Sequence, residues 1–355
     1  MSNDSQLSLD YILDDEPTPV SNNYAAPRVT ETIYAPTIPV AAPVAVPVVS
    51  KAATDGADYK SPYAGQKVSF FRMIRSEWIK FWTLRSTWWV VLLTILLMAG
   101  FALLFATVLR TTFNQMQTGG FGGEGMGGPG GGGGMANSMA SLSGVNIVTL
   151  GINFAQLTVA VLGVLMITNE YSSGMIRATF QAAPYRGRVL LAKLIVLLTT
   201  TALLALAGLA LAWVVTRPIL DDITGLAPVN LNDGTHLRAL IGAVLFLMAI
   251  ATFSLGVGSL LRATAGGIFT VIAILMVLPM IFQIILVVSQ AQWAININKF
   301  LPSVAGEQIY STGMVGGPMT AGMELLGPWP GFFVLLGYAV LAFLAAFFTL
   351  RTRDA

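Results

Sequence analysis

The chain has 355 residues, 55% of them hydrophobic and only 10% charged, with a mean hydropathy of +0.73 and a formal net charge of +2. A water-soluble domain carries about 25% charged residues, so most of this chain is excluded from being one. The absence of cysteine excludes disulfides, thiolate metal sites and a cysteine nucleophile.

Residues 1–64 read as a disordered, acidic, Pro- and Tyr-rich cytoplasmic tail, and residues 65–355 as a membrane domain. The tail holds Asp4, Asp10, Asp14, Asp15, Glu16, Glu31, Asp55 and Asp58. Prolines at 39, 43 and 47 prevent a helix, and the composition suits local polyproline II without a core. Tyr11, Tyr24, Tyr34, Tyr59 and Tyr63 offer docking or modification sites, a reading that composition favours less than a plain leader. The tail has no secretory h-region, so the first span is expected to target the protein to the membrane.

Between Val68 and Arg85 the apolar residues Phe70, Phe71, Ile74, Trp78, Phe81 and Trp82 recur at helical spacing. Arg72, Arg75, Lys80 and Arg85 take much of the remaining surface. A basic amphipathic helix with aromatic residues on one side is expected to lie in the membrane interface, here on the cytoplasmic leaflet, with Arg75, Trp78, Lys80 and Trp82 as its marked positions. An ordinary packed helix is the competing reading.

Six apolar runs follow, near Trp88–Leu109, Val148–Thr168, Leu190–Val215, Leu240–Leu261, Ile268–Ser289 and Gly331–Leu350. Each can cross roughly 30 Å of hydrocarbon at 1.5 Å per residue, and none carries a charge at its centre. The fold class expected is therefore an all-α polytopic membrane protein. Trp88, Trp89, Trp213, Trp293 and Trp329 fall near run ends, as an aromatic belt requires. With the N-terminus inside, twelve Lys/Arg (Lys67, Arg72, Arg75, Lys80, Arg85, Arg177, Arg186, Arg188, Lys193, Arg262, Arg351, Arg353) face the cytoplasm. Only Arg110, Arg217, Arg238 and Lys299 face outward, so both termini are expected inside.

Residues Gly119–Gly134 are mostly glycine but lack Gly-Lys-Ser/Thr and a preceding strand, so they read as a flexible outer linker and not a phosphate cradle. Asp221, Asp222, Asp233 and His236 lack metal-ligand spacing and read as solvated loop polarity. Residues 290–328 are long enough for short re-entrant or surface helices. No paired intramembrane aspartates, Ser/His pair, HExxH helix or GxxxxGK[ST] string occurs. The chain is therefore read as no enzyme, binding no cofactor of its own, and any energy for uphill movement must come from another chain.

The stretch Leu165–Lys193 is the polar joint between the second and third runs. Ser172 or Ser173 is placed to cap a short helix and Pro184 to end it. Ile176, Phe180 and Ala183 fall on one face of that helix, with Arg177 and Gln181 beside them, which suits docking into a partner's groove as well as packing on neighbouring spans.

The pattern Asn169-Glu170-Tyr171-x-x-Gly174-x-Ile176-Arg177, then Pro184-x-Arg186-Gly187-Arg188, then Lys193, resembles the type-2 permease family of ATP-binding-cassette (ABC) transporters, in particular its actinobacterial-style members. RSEWIKFWTLRSTWW (Arg75–Trp89) and LGPWPGFFVLLGYAVLAFLAAFFTLRTRD (Leu326–Asp354) agree with it. The likeness runs from Val68 to the C-terminus, while Met175 stands where a small hydroxyl residue is common.

The resemblance implies a six-helix permease subunit in a bacterial plasma membrane, with small outer helices between spans 5 and 6. It implies partners as well: a second permease copy, and cytoplasmic P-loop ATPase subunits that carry the Mg-ATP. By carry-over a coupling helix covers about 172–183, with Glu170, Ser173, Gly174, Arg177, Phe180 and Pro184 as the ATPase-coupling residues. No nucleic-acid partner is expected. The alternative is a non-transport membrane scaffold whose acidic tail recruits a cytoplasmic partner.

Overall fold

The computed structural model describes residues 69–117, 143–176, 186–223, 226–289, 291–312 and 325–352. The N-terminal tail, the glycine-rich linker and the expected coupling helix beyond Ile176 lie outside the described residues.

The chain is an all-α polytopic membrane protein. A short helix α1 (Phe70–Thr83) turns at Leu84, in extended backbone, into α2 (Arg85–Gln117). Next come α3 (Gly144–Thr149), α4 (Ile152–Ser172), α5 (Arg186–Leu220) and α6 (Gly234–Leu261). Helix α7 (Thr264–Ile272) passes through a π turn (Ala273–Val277) into α8 (Leu278–Ser289). Two short helices, α9 (Gln292–Asn298) and α10 (Pro302–Glu307), precede α11 (Pro328–Thr352). These last short helices match the expectation for the 290–328 segment.

Six of these units are long and apolar enough to span a bilayer: Arg85–Gln115, Gly144–Ser172, Gly187–Leu220, Gly234–Leu261, Thr264–Ser289 and Pro328–Thr352. They contain all six predicted runs and extend most of them by a turn or so at each end. The second is broken at Leu150–Gly151, where a Cβ on Gly151 would come within 2.4 Å of the Met98 carbonyl oxygen on α2. Only a glycine lets the two backbones pass so closely. The fifth opens into its π turn ahead of Pro279, whose ring would otherwise press on the carbonyl one turn back.

Spans 2 and 4 form the centre, with 61% and 67% of their most apolar stretch buried, against 28% for span 1 and 22% for spans 5 and 6. Small residues allow the central contact: a Cβ on Gly163 would lie 2.8 Å from the Ala251 carbonyl oxygen. Without a hydrophobic drive between helices in lipid, such close packing is what holds spans together. The perimeter presents large apolar side chains outward, among them Phe269, Met280, Val288 and Leu341.

Loop polarity is satisfied locally. Arg110 pairs with Asp222 at 2.7 Å, Arg217 with Asp221 at 3.5 Å, and Asp233 caps α6 through the Thr235 amide. His236 accepts the Asn230 amide through Nδ1.

Candidate functional site

Helix α1 has two unlike faces. Phe71 and Ile79 are exposed, while Met73, Glu77 and Phe81, one turn apart, are buried. Met73 packs on Val189 and Ala192 of α5, so this helix is seated on the bundle along one face. The buried face carries a carboxylate in its middle.

That carboxylate is answered by a lysine from inside the membrane domain. Lys193, on the second turn of α5, is only 1% exposed. Its Nζ donates to Glu77 Oε2 at 2.6 Å and to Glu170 Oε1, in the last turn of α4, at 2.7 Å. Lys80 closes the ring, its Nζ 2.9 Å from Glu77 Oε1 and 3.3 Å from Glu170 Oε1. Two carboxylates and two ammonium groups alternate with no net charge, the arrangement in which buried ions are tolerated. Burial by itself would raise the Glu77 carboxyl, but the Lys193 charge and its hydrogen bond, helped by Lys80, outweigh it and hold Glu77 below the usual carboxylate range. For Lys80 burial pulls downward, and the two glutamates outweigh it and raise the ammonium.

Beside the ring lies a cavity of about 420 Å³, lined by Glu77, Lys80, Phe81, Thr87, Met166 and Asn169 among others. Other helix ends reach the same end of the bundle. Arg262, in left-handed backbone (φ 54°) just past α6, sets its guanidinium 5.5 Å from the centre of the Tyr171 ring. Gly187 at the start of α5 abuts the Phe347 ring of α11.

The predicted site residues divide accordingly. Glu170 and Lys80 come together in the ring; Arg75 stays exposed. The Trp78 and Trp82 rings meet at a tilt with centres 5.9 Å apart, and Trp82 meets Trp88 likewise at 5.0 Å, bridging α1 to α2. Ser172 and Ser173 do not start the expected helix at 172. Their hydroxyls donate backward to the Asn169 carbonyl at 3.1 and 2.7 Å, extending α4 through Ser172. Gly174 then takes a left-handed φ of +71° and ends it, so a following helix begins beyond Gly174. Arg177, Phe180 and Pro184 lie outside the described residues.

Glu77 is not among the site residues expected from the sequence, and Lys193 enters there only as one of the cytoplasmic cations and as the end of the resembling pattern. The signal was present: Glu77 falls on the helical stripe Phe70–Ile74–Glu77–Phe81, and Lys193 sits three residues inside the third apolar run. A charge on an apolar stripe and an opposite charge inside a span call for one another.

The ring joins charged side chains from three helices. It ties α1, the end of span 2 and the start of span 3 into one joint, and residues 177–185 are the link between the latter two. No model of a protein family matches the chain, and no curated protein matches it.

Proposed function

We propose that the chain is the membrane-spanning permease subunit of an ABC exporter, moving an amphiphilic or hydrophobic substrate across a bacterial plasma membrane. The ATP is hydrolysed on a separate cytoplasmic P-loop subunit, and two permease copies work together. The observation that carries this reading is the buried ring Glu77–Lys193–Glu170–Lys80. Glu170 and Lys193, which flank the segment 177–185 in sequence, both belong to this ring, so a push received between them is delivered to three helices at once. A segment joined to loose helix ends would dissipate the same push.

Two features support the cargo and the assembly. A second cavity of about 410 Å³, lined by Leu206, Leu209, Trp213, Val229, Leu240 and Val244 among others, is apolar throughout and suits a greasy substrate. The outward faces of spans 1, 5 and 6 leave apolar surface for lipid and a second copy. The Lys/Arg distribution puts the ring on the cytoplasmic side.

The test is the double substitution Arg177→Ala with Phe180→Ala in the full chain. A P-loop ATPase should co-purify with the native protein, and the double variant should reach the membrane yet lose ATPase binding or the coupling of hydrolysis to transport. Unchanged association and coupling would sink the assignment.

A further inference from the structure

At the end of the bundle opposite the charge ring, the segment 291–312 folds back onto the spans. Helix α10 packs on α11, where a Cβ on Gly331 would meet the Ala305 carbonyl oxygen at 2.3 Å. Tyr310 is fully buried with its ring edge-on to Phe246 of α6. Three polar contacts hold the segment to span 2. The Tyr310 hydroxyl donates to Asn153 Oδ1 at 2.9 Å, Asn153 Nδ2 donates to Glu307 Oε1 at 3.5 Å, and the Thr312 hydroxyl donates to Asn146 Oδ1. Glu307 is thus the ionisable member of a cluster that joins a re-entrant segment to the central span.

Among the described residues, its surroundings give no charge to balance an anion. From α4 it meets the Asn153 amide, and from its own segment Tyr310. The α11 and π-turn residues packed on α10 are uncharged there. The nearby cation of α6, Arg238, is engaged by the Ser311 carbonyl oxygen at 3.0 Å. Among the described residues no ion pair reaches Glu307.

We propose that Glu307 is the proton site of a latch: neutral Glu307 keeps the 291–312 segment seated on span 2, and loss of its proton to water releases that segment. The ionised carboxylate, held by one long amide bond and no cation, is worse accommodated in the seated arrangement than in a solvated one. By linkage, the seated state takes up a proton that the released state gives back. Burial, offset only in part by the Asn153 amide, pushes the Glu307 carboxyl up to about 7, which places the transition within the range of ordinary environments.

The chain lacks cysteine, so two introduced thiols report without background. Spin labels at Asn232→Cys and Phe300→Cys, both exposed positions, measure the distance between the α6 entrance and the re-entrant segment in the purified full chain. The native background should give one short distance at pH 4.5 and a longer or broader one at pH 8.5, with the change falling between about 4.5 and 7. Glu307→Gln should hold the short distance at both. A pH-independent native distance, or a Glu307→Gln variant that keeps the shift, overturns the latch. Should Glu307→Gln fail to fold, Glu307→Leu decides: a side chain that cannot ionise must give the same distance at both pH values. A distance that still lengthens with pH in that variant refutes the proposal.

Discussion

Replacing Lys193 with methionine keeps most of the length of the unbranched side chain and removes the charge. Two hydrogen bonds of 2.6 and 2.7 Å disappear, and Glu77 and Glu170 are left facing one cation, Lys80. Removing one partner of a buried pair costs about 3–5 kcal/mol. The lower end applies here, because Lys80 remains within 2.9 and 3.3 Å of both glutamates, although its side chain is 38% exposed and so partly screened. At roughly 2–4 °C per kcal/mol for a domain of this size, a loss of about 3 kcal/mol lowers Tm by about 6–12 °C. The assay is thermal unfolding of the purified full chain in detergent, followed by tryptophan fluorescence at pH 7. The deficit should shrink on moving to pH 5, since a carboxylate stripped of its cation is relieved by protonation. Adding Glu77→Gln to Lys193→Met should recover stability, with a coupling of at least about 1.5 kcal/mol in the double-mutant cycle. A single variant within 1–2 °C of the native protein, or strictly additive effects, would refute the view that the ring fastens α1 to the bundle.

Other expectations follow from the same geometry. Glu77 is held below the usual carboxylate range, so its contribution is present above its unfolded value and is lost as pH falls through the lower folded one. Glu307 has the opposite sign. Its carboxyl moves from 4.5 to about 7, so stability declines as pH rises between those values, by up to about 3 kcal/mol. Glu307→Gln should flatten that decline and melt above the native protein at pH 8; equal melting at pH 8 would contradict the assignment. Gly151→Ala must displace α2 backbone from 2.4 Å and should cost about 1–3 kcal/mol in the same assay. Gly174→Ala, with open space around it and only its φ of +71° to strain, should cost about 1–2 kcal/mol and leave the spans undisturbed.

Much of the architecture was legible because hydropathy reports it directly. Each predicted apolar run lies inside one spanning unit, since the length needed to cross hydrocarbon leaves little latitude in where a span begins. The small helices after span 5 were legible more coarsely, from the length of the 290–328 segment and from the family resemblance, without their bounds. What periodicity does not carry is pairing. Glu77 and Lys193 each stand out locally, as a charge on an apolar stripe and a charge inside an apolar run, but their partnership joins helices far apart in sequence. Asn153 is a polar residue in an apolar span, but its partners Glu307 and Tyr310 arrive only when the re-entrant segment folds back. Ser172 and Ser173 misled for a local reason: a serine at a helix boundary can bond forward as an N-cap or backward to a carbonyl, and here Gly174 supplies the left-handed stop that selects the backward bond.

The charge ring also sets an order of events during synthesis. Glu77 leaves the ribosome 116 residues ahead of Lys193, which at 5–20 residues per second is a wait of roughly 6 to 23 s. Throughout that interval α1 has its carboxylate but only Lys80 to answer it, so it stays wet and unseated. The helix made first can be locked in place only after the hairpin of spans 2 and 3 has emerged.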